Sequence, residues 1–261
     1  GIVVARGKTK GMQNTIDKLQ WQLESERANA EQAAQSFQKQ MAEAKAETKE
    51  QIESIKAECE KRIAQAKADA EKQCADAMAA QERRHAEATK AHDNIYVIGA
   101  PIYVCGALYN CALVMQQGLI LGIVPKCYIP NYGEFSERRW FSTGYNLRME
   151  DDIHYAGQWV HIGSYQIFHT DRYAFGVEIC EDLWSVTPPS SALALQGAEI
   201  IFNLSASDEV TGKHEYLRSL IAQQSARCMA GYVYSSCGYG ESTTDLVFAG
   251  NALIAENGAM I

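Results

Sequence analysis

From Met12 to about Asn94 the sequence contains neither glycine nor proline, and no other feature so narrows what this chain can fold into. Ala, Glu, Lys and Gln dominate the stretch. That composition, free of the two residues that interrupt helices, predicts one continuous helix, about 120 Å long if unbroken at about 1.5 Å per residue. Its apolar positions recur in steps of three, four and four through Ala30, Ala33, Phe37, Met41, Ala44, Ile52, Ile55, Cys59, Ile63, Ala66, Ala70, Cys74 and Ala77, with Thr48 as the one polar member. A sustained eleven-residue period suits a straight or slightly right-handed supercoil. Because the seam is mostly Ala it buries little area per turn, so a helix of this kind is marginal alone and a partner helix is expected, with self-association as the simplest source. Acidic and basic residues interleave around the seam, as on a solvated coiled-coil surface. The basic opening ARGKTKG reads as a flexible leader over residues 1–11, with a phosphate contact as the weaker alternative.

At about Ile95 glycine, aromatic and β-branched residues appear and charges thin out. IYVIGAPIYV, YNCALVMQQ and LILGIVPK read as successive strands punctuated by Gly106 and Gly118. WVHIGSYQIF, YAFGVEIC, EIIFNLSA and YVYSSC read as further strands, and LVFAGNALIAENG as strands with a turn. Helices are expected from Ser190 to Gly197 and from Gly212 to Ala230. Strands mixed with helices predict an α/β layer fold for residues 95–261, preceded by the long helix at 12–94.

A chain of 261 residues with 47% hydrophobic residues can bury a sizeable core. A net charge of −8 argues against nucleic acid as a partner. The eight cysteines stand at irregular spacings without a CxxC pair, which predicts reduced thiols in a cytoplasmic protein and neither a disulfide framework nor a metal site. No apolar run reaches the roughly 18 residues needed to span a bilayer, so no membrane partner is expected. The sequence does not begin with Met and stops just after a hairpin-like AENGAMI, so a fragment at both ends is expected.

Chemistry centres on FGVEICEDLW, residues 175–184. A β-prone run ends abruptly at Cys180 and turns through Glu181 and Asp182 towards Pro188 and Pro189. A thiol at the carboxyl end of a buried strand lies where open α/β sheets bind ligands, which makes Cys180 a candidate nucleophile, although thiols are also common core residues. Three other pieces could reach the same edge. Lys126 follows a strand end and a proline, where a lone Lys is more often solvated surface. Asn203 and Ser207 leave another strand, where turn chemistry also explains them. GYGESTTDL, residues 238–246, offers Ser, Thr and Asp that could cap backbone groups or touch a ligand.

VPKCYIPNYGEFSERRWF, GVEICEDLW, IFNLSASDEVTGKHEYLR, QQSARCMAGYVYSSCGYGESTTDLVFAG and LIAENG together resemble the nitrilase-type glutaminase domain of glutamine-dependent NAD synthetases, a branch of the carbon–nitrogen hydrolases. The similarity runs nearly continuously from about Ile95 to the last residue. It implies a four-layer α–β–β–α sandwich that hydrolyses glutamine to glutamate and ammonia. By motif, Cys180 would be the nucleophile, and Lys126 with the backbone N–H of Glu181 would stabilise the oxyanion. Glu134 would orient Lys126, and Tyr132, Ser207 and Lys213 would hold glutamine. No metal or cofactor is implied for this step; ATP and Mg would belong to a synthetase domain expected to be absent from this chain.

The resemblance also implies a third catalytic group, a Glu in a Pro-Glu-Leu context that takes the thiol proton and returns it to the leaving ammonia. None of the prolines at 101, 125, 130, 188 and 189 is followed by Glu, and the long helix stands where the strand carrying it would be. Impaired amide hydrolysis and an opened sheet edge are therefore expected. The alternatives are a coiled-coil scaffold carrying a degenerate hydrolase domain, and a carbon–nitrogen hydrolase for another amide or nitrile.

Overall fold

The structure, a computed structural model, describes residues 2–147, 151–241 and 246–261, with side chains described from residue 11 onward except at 13 and 151. The chain divides into two compact units, residues 1–70 and 71–261. The first is helical throughout its described residues, and its helix α1 runs Ile2–Ala88 into the second unit. Residues 2–11, expected to be a flexible leader, are helical. Once a helix is nucleated each further residue adds a hydrogen bond, and a single Gly such as Gly11 costs only about 1 kcal/mol. The seam residues Phe37, Met41, Ile52, Ile55 and Ile63 are all exposed. Thr48 closes its hydroxyl onto Ala44 O at 2.7 Å, so the polar member of the seam carries its own acceptor. No described helix is long and apolar enough to cross a membrane.

The second unit stacks four layers, as the resemblance implies. One sheet runs β1(Tyr96–Val104)–β2(Ala107–Gln116)–β3(Leu119–Pro125)–β5(Gln158–Ile162)–β4(Asp151–Tyr155). The other has six strands, β11(Ala259–Met260)–β10(Ala252–Glu256)–β9(Gly231–Ser236)–β8(Ile200–Ser205)–β7(Ala174–Ile179)–β6(Phe168–His169). Side chains alternate across a strand, so each sheet offers two apolar faces. Ile102, Tyr109, Cys111 and Leu113 face the end of α1 through Ala79 and Ala86. Ala112, Val114 and Val124 meet Phe175, Val177 and Ile179 between the sheets. Ile201, Tyr232 and Tyr234 pack under α3 (Pro189–Leu195) and α4 (Lys213–Cys228) through Leu193, Leu217 and Ile221.

The compact unit begins at Glu71 and not at Ile95. Arg83 donates to Ala156 O at 3.0 Å, and Thr89 accepts the Gly118 N–H at 2.8 Å, so the last turns of α1 are tied to the first sheet. WVHIGSYQIF, expected as one strand, is two: β5 ends at Ile162 in the first sheet and β6 begins at Phe168 in the second. Between them Ser164 donates to Pro125 O at 3.0 Å and Gln166 to Ile123 O at 2.6 Å, so side-chain hydrogen bonds replace the strand ladder at the crossing. β4 was not foreseen, and β1 forms one edge of its sheet, paired only with β2 among the described strands.

Candidate active site

Cys180 occupies the step between β7 and a short helical turn, α2 (Glu181–Trp184), with φ 47° and ψ −99°. A non-glycine residue pays for positive φ, of order 1–3 kcal/mol, so the surroundings must hold it there. They do so from below. The Cys180 N–H donates to Leu204 O at 2.9 Å and to Asn203 Oδ1 at 3.2 Å. Asn203 donates in turn to the Tyr232 hydroxyl at 3.1 Å, and that hydroxyl donates to Glu178, whose carboxylate also accepts the Ser190 N–H at 2.7 Å. The network is buried, and burial drives both Glu178 and Tyr232 upward in pKa. Glu181, as the first residue of the helical turn, has an N–H outside the helical ladder.

Lys126 follows β3 and is 1% exposed, so it is not a solvated surface lysine. Its ammonium donates to both oxygens of Glu137, at 2.9 and 3.0 Å. The carboxylate on Lys126 is thus Glu137 and not the expected Glu134. Glu137 opens a helical turn of three residues, Glu137–Arg139, pinned by its own N–H to Pro130 O at 3.2 Å, which folds it back over the end of β3. Glu137 carries no signal in the sequence, because eleven positions from a lysine is no recognisable spacing outside regular structure.

Two cavities meet at the thiol. One, of about 600 Å³, is lined by Cys180 together with Lys126, Glu137, Asn203, Cys237 and Glu241. The other, of about 370 Å³, is lined by Cys180 with Tyr132, Glu134, Glu181, Trp184, Ser207 and Lys213. Among the described residues, Cys180, Lys126, Asn203, Tyr132, Glu134, Glu181, Ser207 and Lys213 thus line one space or the other, with Cys180 common to both. Tyr132 donates to Glu181 Oε1 at 2.8 Å, and burial, reinforced by that bond, raises the phenol's pKa. Lys213, at the start of α4, bonds to Asp208 and lies 5.5 Å from the centroid of the Trp184 ring, which stacks on Tyr216. Burial alone would raise Asp208; the Lys213 bond and charge outweigh it and hold the carboxyl below its usual range. Ser207 is 3% exposed, and its N–H donates to Ser236 Oγ at 3.2 Å. Of GYGESTTDL, residues 242–245 lie outside the described residues; Glu241 lines the larger cavity.

The neighbouring thiols are poor competitors for chemistry. Cys127 is pushed up to about 12 by burial and by the Asp182 charge, and burial raises Cys111 and Cys237 as well. Among the described residues no group of three metal-binding side chains forms. The arrangement can present a thiol and an ammonium to one substrate carbonyl while a second, mixed-charge wall holds the rest of the substrate.

The sequence matches the carbon–nitrogen hydrolase family over residues 63–261. The match starts inside α1, before the point where packing onto the sheets begins. The glutamine-dependent NAD(+) synthetase of Mycobacterium tuberculosis is 42% identical over 170 residues, covering 64% of this chain and 25% of that protein. A crystal structure of a glutamine-dependent NAD(+) synthetase from Cytophaga hutchinsonii superposes with a TM-score of 0.58 at 26% identity, covering 67% of this chain and 28% of that one. A carbon–nitrogen hydrolase from Helicobacter pylori, at 15% identity and a TM-score of 0.56, shares the fold. The chain spans about a quarter of the length of the curated relatives it matches. With the thiol turn, the buried lysine and the four layers all inside the matched span, the chain belongs to the carbon–nitrogen hydrolase family.

Proposed function

We propose that the domain is a glutaminase centre in which Cys180 attacks the side-chain amide of glutamine. The observation that carries this reading is the position of Cys180: a strained strand-end thiol lining one cavity with a buried lysine and another with Tyr132, Ser207 and Lys213. The sulfur would form a bond to the carboxamide carbon while its proton is transferred, and the carbonyl oxygen would become an oxyanion facing the Lys126 ammonium and the Glu181 N–H. One such donor is typically worth about 2.7 to 4 kcal/mol. The C–N bond then breaks as the nitrogen takes up the proton and leaves as ammonia, and water hydrolyses the thioester to glutamate and free thiol. Glu134 belongs to the wall that receives the rest of glutamine, beside Asp208 and Lys213. No metal or cofactor is assigned to this step, and ATP chemistry is assigned to no residue here.

The Pro-Glu pair that would bring the proton carrier does not occur in this sequence. A positioned acid–base group contributes about 10² to 10⁴ in rate. Ammonia release from glutamine by this chain is therefore expected about that far below the rate of a relative that has the group, and abolished by Cys180→Ala. A turnover equal to such a relative's, or one indifferent to Cys180→Ala, would refute the reading.

A second reading concerns α1. Phe37, Ile55 and Ile63 are each more than 60% exposed along the seam. We infer self-association through this face. Sedimentation should show a dimer or larger species that Phe37→Glu with Ile55→Glu converts to monomer, leaving the melting of the sheet unit unchanged. A chain already monomeric at its solubility limit would exclude it.

A further inference from the structure

We propose that Asp182 is a positioning residue that clamps the two strand ends carrying Lys126 and Cys180, and so sets the ammonium against the thiol. Its Oδ1 accepts the N–H groups of Cys127 at 3.1 Å and Tyr128 at 2.8 Å, the two residues after Lys126. Its Oδ2 accepts the N–H of Ile179 at 2.9 Å, the residue before Cys180. β3 and β7 lie in different sheets, so no strand ladder sets their relative height. The carboxylate supplies that missing tie, and it is only 1% exposed.

The chemistry of the tie is specific. An ionised carboxylate is acceptor on both oxygens and can serve all three converging N–H groups, whereas an amide would turn a donor toward at least one of them. Burial and the Glu178 charge push Asp182 up to about 7, so keeping it ionised costs stability. A residue serving stability alone would do better uncharged. Its three partners flank the two side chains assigned to the reaction.

This inference rests on the glutaminase reading, and one experiment separates the two. The full chain, unaltered or carrying Asp182→Asn or Asp182→Ala, is treated with a glutamine-mimicking electrophile and, separately, with iodoacetamide, and labelling is read at each cysteine by peptide mass spectrometry. Exposed Cys59 and Cys74 serve as references, and buried Cys111 and Cys127 report opening of the domain. In the unaltered chain the mimic is expected to prefer Cys180 over the references, with iodoacetamide showing a much smaller preference. In Asp182→Asn the preference for the mimic should fall about 10-fold or more, in line with the effect of sub-ångström to ångström misplacement, while Cys111 and Cys127 stay unlabelled. An unchanged preference in a closed variant overturns the clamp. No preference in the unaltered chain overturns the parent reading, and the clamp with it. Should both variants open, amide exchange in the unaltered chain decides: joint protection of Cys127, Tyr128 and Ile179 supports the clamp, and loop-like exchange at any of them overturns it.

Discussion

Lys126→Met is expected to lower Cys180 labelling by a glutamine-mimicking electrophile about 100-fold or more and to cost the sheet unit on the order of 3 kcal/mol. The first figure follows from losing a donor aimed at the developing oxyanion, which elsewhere costs about 10² to 10³ in rate. The second follows from breaking a buried ion pair, about 3 to 5 kcal/mol, taken at the low end because the Glu137 side chain is 23% exposed and water can reach it. The two losses have different remedies. Lys126→Met leaves the Glu137 carboxylate facing the cavity of a thiol that must become an anion, so Lys126→Met with Glu137→Gln should recover much of the stability and little of the labelling. Urea melts and labelling kinetics on the two single variants and the double one close the cycle. Recovery of both together would mean that Lys126 acts only by offsetting the Glu137 charge.

The thiol turn was legible because it needs only local signals: a hydrophobic run with strand propensity, an abrupt stop and a polar turn. Lys126 and Ser207 stood out by following strand ends, Tyr132 and Lys213 entered through motif resemblance alone, and all four reach a cavity that Cys180 lines. What the sequence hid depends on contacts distant along the chain. Glu137 could be told from Glu134 only once the turn at Glu137–Arg139 had folded back on β3. Asp182 looked like a turn former, since nothing local reveals that its acceptors serve Cys127 and Tyr128. The break inside WVHIGSYQIF was missed because the apolar pattern continues while the chain changes sheets. The start of the packed unit was placed late for a related reason. Alanines on a coiled-coil seam and the buried Ala86 on a sheet look identical in sequence, and only Glu82 and Thr89, polar yet buried, mark the difference.

These parts explain how so polar a site is held rigid inside a sandwich. The Cys180 turn is strained, Lys126 is buried with its charge, and two carboxylates, Glu178 and Asp182, sit two residues to either side of the thiol. Each buried group has its hydrogen-bond partners: the Tyr232 hydroxyl and Ser190 N–H donate to Glu178, three backbone N–H groups donate to Asp182, and the Glu137 oxygens accept from the Lys126 ammonium. Satisfied networks of this kind specify one arrangement at a cost in stability.

That cost should be visible as pH dependence, and its sign is determined by the two carboxylates. Both have pKa values raised by burial, Asp182 from 3.8 to about 7, with the Glu178 charge contributing. A carboxyl raised in the folded state leaves stability highest below its unfolded value, and stability falls as pH climbs to the folded value. For Asp182 the window runs from about 4 to 7, and at about 1.4 kcal/mol per tenfold change in proton affinity the loss is on the order of 4 kcal/mol. Asp208, held low by Lys213, acts in the opposite sense, gaining stability as pH rises from below its folded value to its unfolded one, so the readout must be a difference between variants. Urea midpoints of the unaltered chain and of Asp182→Asn, taken from pH 4.5 to 7.5, should converge as pH rises. At pH 4.5 the variant is the weaker, because its amide turns a donor toward N–H groups that the protonated acid could still partly satisfy. Near pH 7.5 it has no charge to keep buried, and the gap should have narrowed or reversed. Midpoints that stay parallel across the range would show that Asp182 ionises without resistance.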